Sequence, residues 1–156
     1  MQNRILVYGY GNPGRQDDGL GPALVDRLEG ERLPGVATDS NYQLQIEDAV
    51  AVAESGTVIF VDATVSGDGP FTFTELEPSG EITFTTHTIS PGSILALCHE
   101  LYSKDVRAYV LAIRGYGWEF VEKLTPEAEK NLEEAYRFLV EKISDIMNMS
   151  DTVTLN

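Results

Sequence analysis

Apolar and polar positions along this chain switch between two periods. Arg4 to Tyr10 and Thr57-Val58-Ile59-Phe60-Val61 are short unbroken apolar runs ending at glycine or aspartate, the pattern of strands buried on both faces. Leu20, Leu24, Val25 and Leu28 recur at helical spacing, which predicts a helix starting near Asp18 or Gly19 and stopping at Gly30. Val36 to Asn41 reads as a shorter strand, and Ile46 to Glu54 as a helix whose face carries Ile46, Ala49, Val50 and Ala53. Phe71 to Leu76 and Ile82 to Thr86 alternate with period two around Glu77-Pro78-Ser79-Gly80, so a hairpin or paired edge strands is expected. Ser90-Pro91 supplies a cap and first residue for a helix through Leu101. Val106 to Ile113 is the last strand. Thr125-Pro126-Glu127 opens a terminal helix with Leu132, Tyr136, Leu139, Ile143 and Ile146 on one face, and Ser150 to Asn156 carries no pattern, as expected of a frayed tail. Strands alternating with helices define an α/β fold, an open sheet covered on both faces within a single domain spanning 1–156.

In such sheets ligands gather beyond the carboxyl ends of the strands. Two acidic sites arrive there: Asp17-Asp18 after the first strand and Asp62 at the end of the central one. The loop before Asp17 is rich in glycine, and Gly9, Gly11 and Gly14 satisfy the spacing of a dinucleotide fingerprint, with Asp39 near the position of a ribose-binding acid. An oxidoreductase is therefore one reading. Against it, Pro13, Arg15 and Gln16 delay the helix that should open at the fingerprint, and two acids would face the phosphates with only Arg15 to offset them.

Metal chemistry is the other reading. The only imidazoles are His87, between a strand and a helix, and His99, inside a helix. Asp18, Asp62 and His87 come from three separate loops, as carboxylate and imidazole ligands of a divalent transition metal do. Each has an alternative alone: Asp18 as a helix cap, Asp62 as a strand-end turn residue, His87 as a hydrogen-bonded loop histidine. Cys98, the single cysteine, lies in an apolar helical pattern and reads as a core thiol, and no Gly-x-Ser-x-Gly elbow is present. Both features argue against a serine or cysteine protease of the ordinary kind.

Charge narrows the partners. Lysine and arginine total 11 against 25 acids, a formal net charge of −14. That argues against nucleic acid and anionic membranes and suits a cation or a basic polypeptide segment. No stretch approaches a membrane span, and the N-terminal residues lack the features of a signal peptide, so a cytoplasmic protein is expected.

The run strand, Gly9-Tyr10-Gly11-Asn12, Asp17-Asp18-Gly19-Leu20-Gly21, Val61-Asp62-Ala63 and Thr86-His87 with Ser90 resembles the hydrogenase maturation proteases. Ala112-Ile113-Arg114-Gly115 and Leu124-Thr125-Pro126-Glu127-Ala128 are similar to the same family's last strand, loop and terminal helix. The resemblance implies a three-layer α/β/α sandwich and an endopeptidase that removes the C-terminal extension of a nickel–iron hydrogenase large-subunit precursor. It implies that Asp18, Asp62 and His87 act as catalytic and metal-engaging residues toward nickel supplied by that precursor, with Asn12 and Asp17 shaping the loop. A non-catalytic, metallochaperone-like binder of the precursor would carry the same ligands. Asp39-Ser40-Asn41-Tyr42-Gln43-Leu44 stands where many members have an Asp-Gly-Gly-Thr-like stretch implicated in substrate selection, and is similar to a Gln-Leu variant, which leaves the class of hydrogenase processed open. Because His87 ligates only when neutral, metal affinity is expected to fall as pH drops through about 6.5.

Overall fold

The computed structural model of the chain describes residues 4–82, 84–85 and 88–155. Five strands form one sheet in the order β2-β1-β3-β7-β4: β1 (Ile5–Tyr10), β2 (Val36–Asn41), β3 (Thr57–Thr64), β4 (Phe71–Leu76) and β7 (Arg107–Arg114). The first four in that order run parallel, and β4 alone is antiparallel, on β7. A second small ladder joins β5 (Phe84–Thr85) to β6 (Thr88–Ile89). The helices are α1 (Leu20–Glu31), α2 (Ala49–Ala53), α3 (Pro91–Tyr102) and α4 (Pro126–Leu155).

Alternation along β1 sorts these helices into two layers. Ile5 and Val7 face one side, where they meet Leu24 and Leu28 of α1 and Leu139 and Ile143 of α4. Leu6 and Tyr8 face the other, with Val52 of α2 and Ile94 and Cys98 of α3. Successive residues of a strand point to opposite faces, so an apolar run is what a sheet sandwiched between two helical layers demands. The expected three-layer α/β/α sandwich with a mostly parallel sheet is the fold observed. Among the described residues no helix is long and apolar enough to cross a membrane.

Two local expectations are corrected. Among the described residues Phe71–Leu76 pairs not with the segment after it but with Arg107–Arg114, from Phe71↔Ile113 to Leu76↔Ala108. The cause is aromatic packing on one face, since Phe71 and Phe73 both lie 5.1 Å from the Phe138 ring of α4 and Phe73 stacks on Tyr109 at 5.0 Å. Helix α1 passes through Gly30 and ends where Arg32 turns left-handed (φ 50°), its N–H bonded to the Glu29 carbonyl at 3.2 Å. Helix α4 extends to Leu155.

The start of α1 is pressed against the sheet. A Cβ on Gly21 would lie 2.5 Å from the Val61 carbonyl oxygen and 2.8 Å from that of Tyr10. Backbone on both sides leaves nothing flexible to yield. Gly21→Ala is therefore expected to cost about 3 kcal/mol, at the upper end for overpacking, as read from urea unfolding; a loss below about 1 kcal/mol would mean that α1 shifts freely.

Candidate active site

Parallel strands and their crossovers bring two carboxylates to one place. From β1 the chain crosses through α1 to β2, then returns past β1 through α2 to β3, so the connections diverge between β1 and β3. Sheets of this kind bind ligands at that switch point. Here it opens into a cleft of about 470 Å³ lined by Tyr10, Asn12 and Asp18 on the β1 side, Asp62 from β3, Tyr42 to Leu44 after β2, and Thr88 and Ile89 of β6.

Asp18 reaches the cleft because the chain does not enter a helix directly after β1. Residues Pro13–Gly19 form a kinked 3-10 segment, capped by the Asn12 side chain, which accepts from Gly14 N–H at 2.8 Å. Gly11 sits at φ +143°, and a Cβ there would collide with the Asp18 carbonyl, so glycine alone lets the loop fold back on itself. Asn12 N–H donates to Asp18 Oδ2 at 2.7 Å. Asp18 is not the cap of α1: Gly19 occupies that position and no side chain caps the helix.

Asp62 lies within β3, one residue after the fully buried Val61, and accepts from Ala63 N–H at 2.8 Å. Burial pushes its carboxyl pKa up to about 6; the nearby Asp18 charge adds to the rise, while the Ala63 N–H and the Tyr10 hydroxyl oppose it. In turn, burial and then Asp62 push the Tyr10 hydroxyl pKa upward, which keeps it a proton donor. Because the folded pKa of Asp62 is above its ordinary value, its stabilising contribution is present below about pH 4 and is lost as pH rises through 6. Asp62→Asn should accordingly raise the unfolding midpoint at pH 8 and leave it nearly unchanged at pH 4. Equal effects at both pH values would show that Asp62 titrates normally.

Asp17, adjacent in sequence, points away from the cleft. Its carboxylate is fully buried and accepts from Tyr116 N–H (2.7 Å), Gly117 N–H (2.9 Å), Thr125 N–H (2.8 Å) and the Thr125 hydroxyl (2.7 Å). Burial by itself would raise its pKa, yet these donors outweigh burial and hold it below the usual carboxylate range. Between Pro13 and Asp17, Gln16 is in a strained conformation (φ 53°, ψ −112°), fixed by its N–H to the Val121 carbonyl (2.9 Å) and its side-chain oxygen on Glu119 N–H (3.2 Å).

His87 lies outside the described residues; Thr88, its neighbour in the chain, lines the cleft. Among the described residues no three His, Cys, Asp or Glu side chains converge as a metal site. His99 is elsewhere, exposed on α3 and paired with Asp105 at 2.8 Å, and Cys98 is buried against the Ala49 carbonyl. Tyr10 is a cleft residue that sequence reasoning did not assign; Tyr42-Gln43-Leu44, part of the stretch that the resemblance links to substrate selection, also lines the cleft. Alternation held the signal for Tyr10, since it shares the face of Tyr8 two residues earlier. The dinucleotide reading loses its geometry here. The glycine loop runs into a 3-10 segment, not a helix N-terminus, and the Asp18 backbone fills the space over Gly11. Asp39 is exposed on the β2 edge and bonds Ser40 N–H.

A mostly parallel α/β/α sandwich with acids at its switch point is the class that fold and cleft define. No protein-family model and no curated protein matches the sequence. Solved structures do match. The hydrogenase maturating endopeptidase HybD from E. coli superposes with a TM-score of 0.72 at 20% identity, over 91% of this chain and 93% of that one. A [NiFe] hydrogenase maturation protease HycI from Thermococcus kodakarensis gives 0.67 at 21% identity, over 90% and 92% of the two chains. The hydrogenase 2 maturation peptidase from a Thaumarchaeota archaeon gives 0.68 at 21% identity, over 90% and 98%. The chain has the fold of the hydrogenase maturation endopeptidases along nearly its whole length.

Proposed function

We propose that this chain is an endopeptidase that removes a C-terminal extension from the nickel-loaded large-subunit precursor of a nickel–iron hydrogenase, in the cytoplasm. The observation that carries the reading is the pair of carboxylates, Asp18 and Asp62, close enough to influence one another across a single cleft on a fold shared with hydrogenase maturation endopeptidases. His87 completes the set on this reading, one residue from the cleft-lining Thr88. Two carboxylates and an imidazole form a donor set that divalent nickel accepts. The nickel belongs to the substrate, so the cleft serves as a checkpoint that a metal-free precursor fails.

The chain's own groups have separate tasks. Asn12 N–H orients Asp18 through Oδ2, leaving Oδ1 free of protein partners among the described residues. Ala63 N–H and the Tyr10 hydroxyl orient Asp62. With a pKa near 6, Asp62 is mostly ionised at neutral pH, available to hold the metal or to accept a proton from water. A metal so held supplies Lewis acidity toward a carbonyl or a water molecule. Tyr42, Gln43 and Leu44 form the cleft wall and are placed to contact the polypeptide around the scissile bond.

Mass spectrometry of a nickel-loaded precursor incubated with the chain tests this directly. Loss of a C-terminal peptide, absent with nickel-free precursor, is the expected result. Stable binding with no loss of mass would assign the chain a holding role, and neither binding nor cleavage would remove the precursor as its substrate.

A further inference from the structure

On the reading that the precursor is the substrate, we propose that the strap from Tyr116 to Val121 is the surface on which that precursor docks, taking one of its apolar side chains with a carboxylate beside it. Phe120 is 84% exposed, the most exposed large hydrophobic side chain among the described residues, and Tyr116 and Val121 are about half exposed. An exposed aromatic on a slack loop would mean little. This one is held by backbone bonds, Gln16 N–H to the Val121 carbonyl at 2.9 Å and Asp17 N–H to the Gly117 carbonyl at 3.0 Å, besides the bonds to the Asp17 carboxylate. An apolar group ordered before binding loses little freedom on binding, which favours affinity.

Two guanidiniums flank the strap, whose own charged side chain is Glu119. Arg15 lies 5.0 Å from the centre of the Phe120 ring and donates to the Trp118 carbonyl at 3.1 Å. Arg114 lies 5.1 Å from the Tyr116 ring and donates to the Gly67 carbonyl at 2.9 Å. Neither guanidinium has a carboxylate within 4.0 Å among the described residues, although the chain carries a net charge of −14. A guanidinium stacked on a ring keeps edge donors that match a carboxylate. Arginine and aromatic side chains are also those that dominate binding energy at protein interfaces.

Continuity with the cleft selects the occupant. The strap is bonded to Asp17, and Asp17 adjoins Asp18, so a protein seated on the strap is held against the loop that presents the cleft carboxylate. A folded precursor needs such a hold apart from the scissile segment itself.

Cleavage kinetics and interferometry with nickel-loaded precursor, using Phe120→Ser, Arg15→Ala and, as a control on α3, Leu101→Ser, test the assignment. Phe120→Ser and Arg15→Ala are expected to raise the precursor Kd and KM by at least about tenfold, with Leu101→Ser within about twofold of wild type. The exposed Phe120 side chain should leave the unfolding midpoint of its variant unchanged. If wild type cleaves and both strap variants stay within about twofold, docking on the strap is overturned while the endopeptidase reading stands; equal weakening by Leu101→Ser overturns it as well. Binding without cleavage that still weakens in both strap variants supports the docking surface and overturns the endopeptidase reading. Absence of both binding and cleavage by wild type overturns the two together.

Discussion

Asp18→Ala is expected to slow release of the C-terminal peptide by about 10² to 10³-fold, the scale seen when one preorganised charge-stabilising group is removed from an active site, while the protein stays folded. Among the described residues the Asp18 side chain makes a single hydrogen bond, from Asn12 N–H, so the loss falls on chemistry and not on packing. His87→Ala should behave alike. A second readout is independent of activity: the Asp18 charge helps raise the Asp62 pKa to about 6, so Asp18→Asn should lower it, visible in an NMR titration of the Asp62 carboxyl. In wild type, affinity for the nickel-bearing substrate should rise with pH across about 6, because protonated Asp62 cannot ligate and neutral imidazole must form. Cleavage retained within about twofold in Asp18→Ala, or an unmoved Asp62 titration in Asp18→Asn, would dismiss Asp18 from the site.

Periodicity carried the architecture because the sheet is buried on both faces. Under that condition apolar runs mark strands, and the end of each run marks the edge where ligands bind, so Asp18 and Asp62 could be located without knowing any contact. Period-two alternation in Phe71–Leu76 carried less: it reports a strand with one buried face and is silent on the partner, which Phe138 and Tyr109 decide from elsewhere in the chain. Gly30 illustrates a different limit. Glycine permits a helix to stop but does not compel it, and the helix ran on to a left-handed Arg32. The stretch Tyr42 to Leu44 was legible only through the resemblance, because its place beside β6 rests on Ile89 N–H donating to the Leu44 carbonyl at 3.2 Å and on a bridge between Gln45 and Thr88. No local pattern encodes that meeting.

The Asp17-Asp18 pair also hid a division of labour, and Asp17→Ala should expose it with a loss of stability of about 4 kcal/mol near neutral pH. Neighbours on a 3-10 segment diverge by about 120°, so Asp17 turns into the protein as Asp18 turns to the cleft. Removing the Asp17 carboxylate strands three backbone N–H groups and the Thr125 hydroxyl, all bonded to it within 2.9 Å. A hydrogen bond to a charged group contributes about 1.5–3 kcal/mol, and water entering the vacated space returns only part of that. For a chain of this size the unfolding midpoint should fall by about 10 °C. Asp17→Asn keeps one accepting oxygen but turns an amide NH₂ toward donors, so it should recover less than half of the loss. The pH dependence has a definite sign. A carboxyl whose folded pKa is depressed contributes stability above its ordinary value near 3.8 and loses it as pH falls through the lower folded value. The gap between wild type and Asp17→Ala should hold steady from pH 8 to about 4 and close below that. A gap that closed near pH 6 would instead place Asp17 in the cleft beside Asp62, and both the strap and the loop that presents Asp18 would need another anchor.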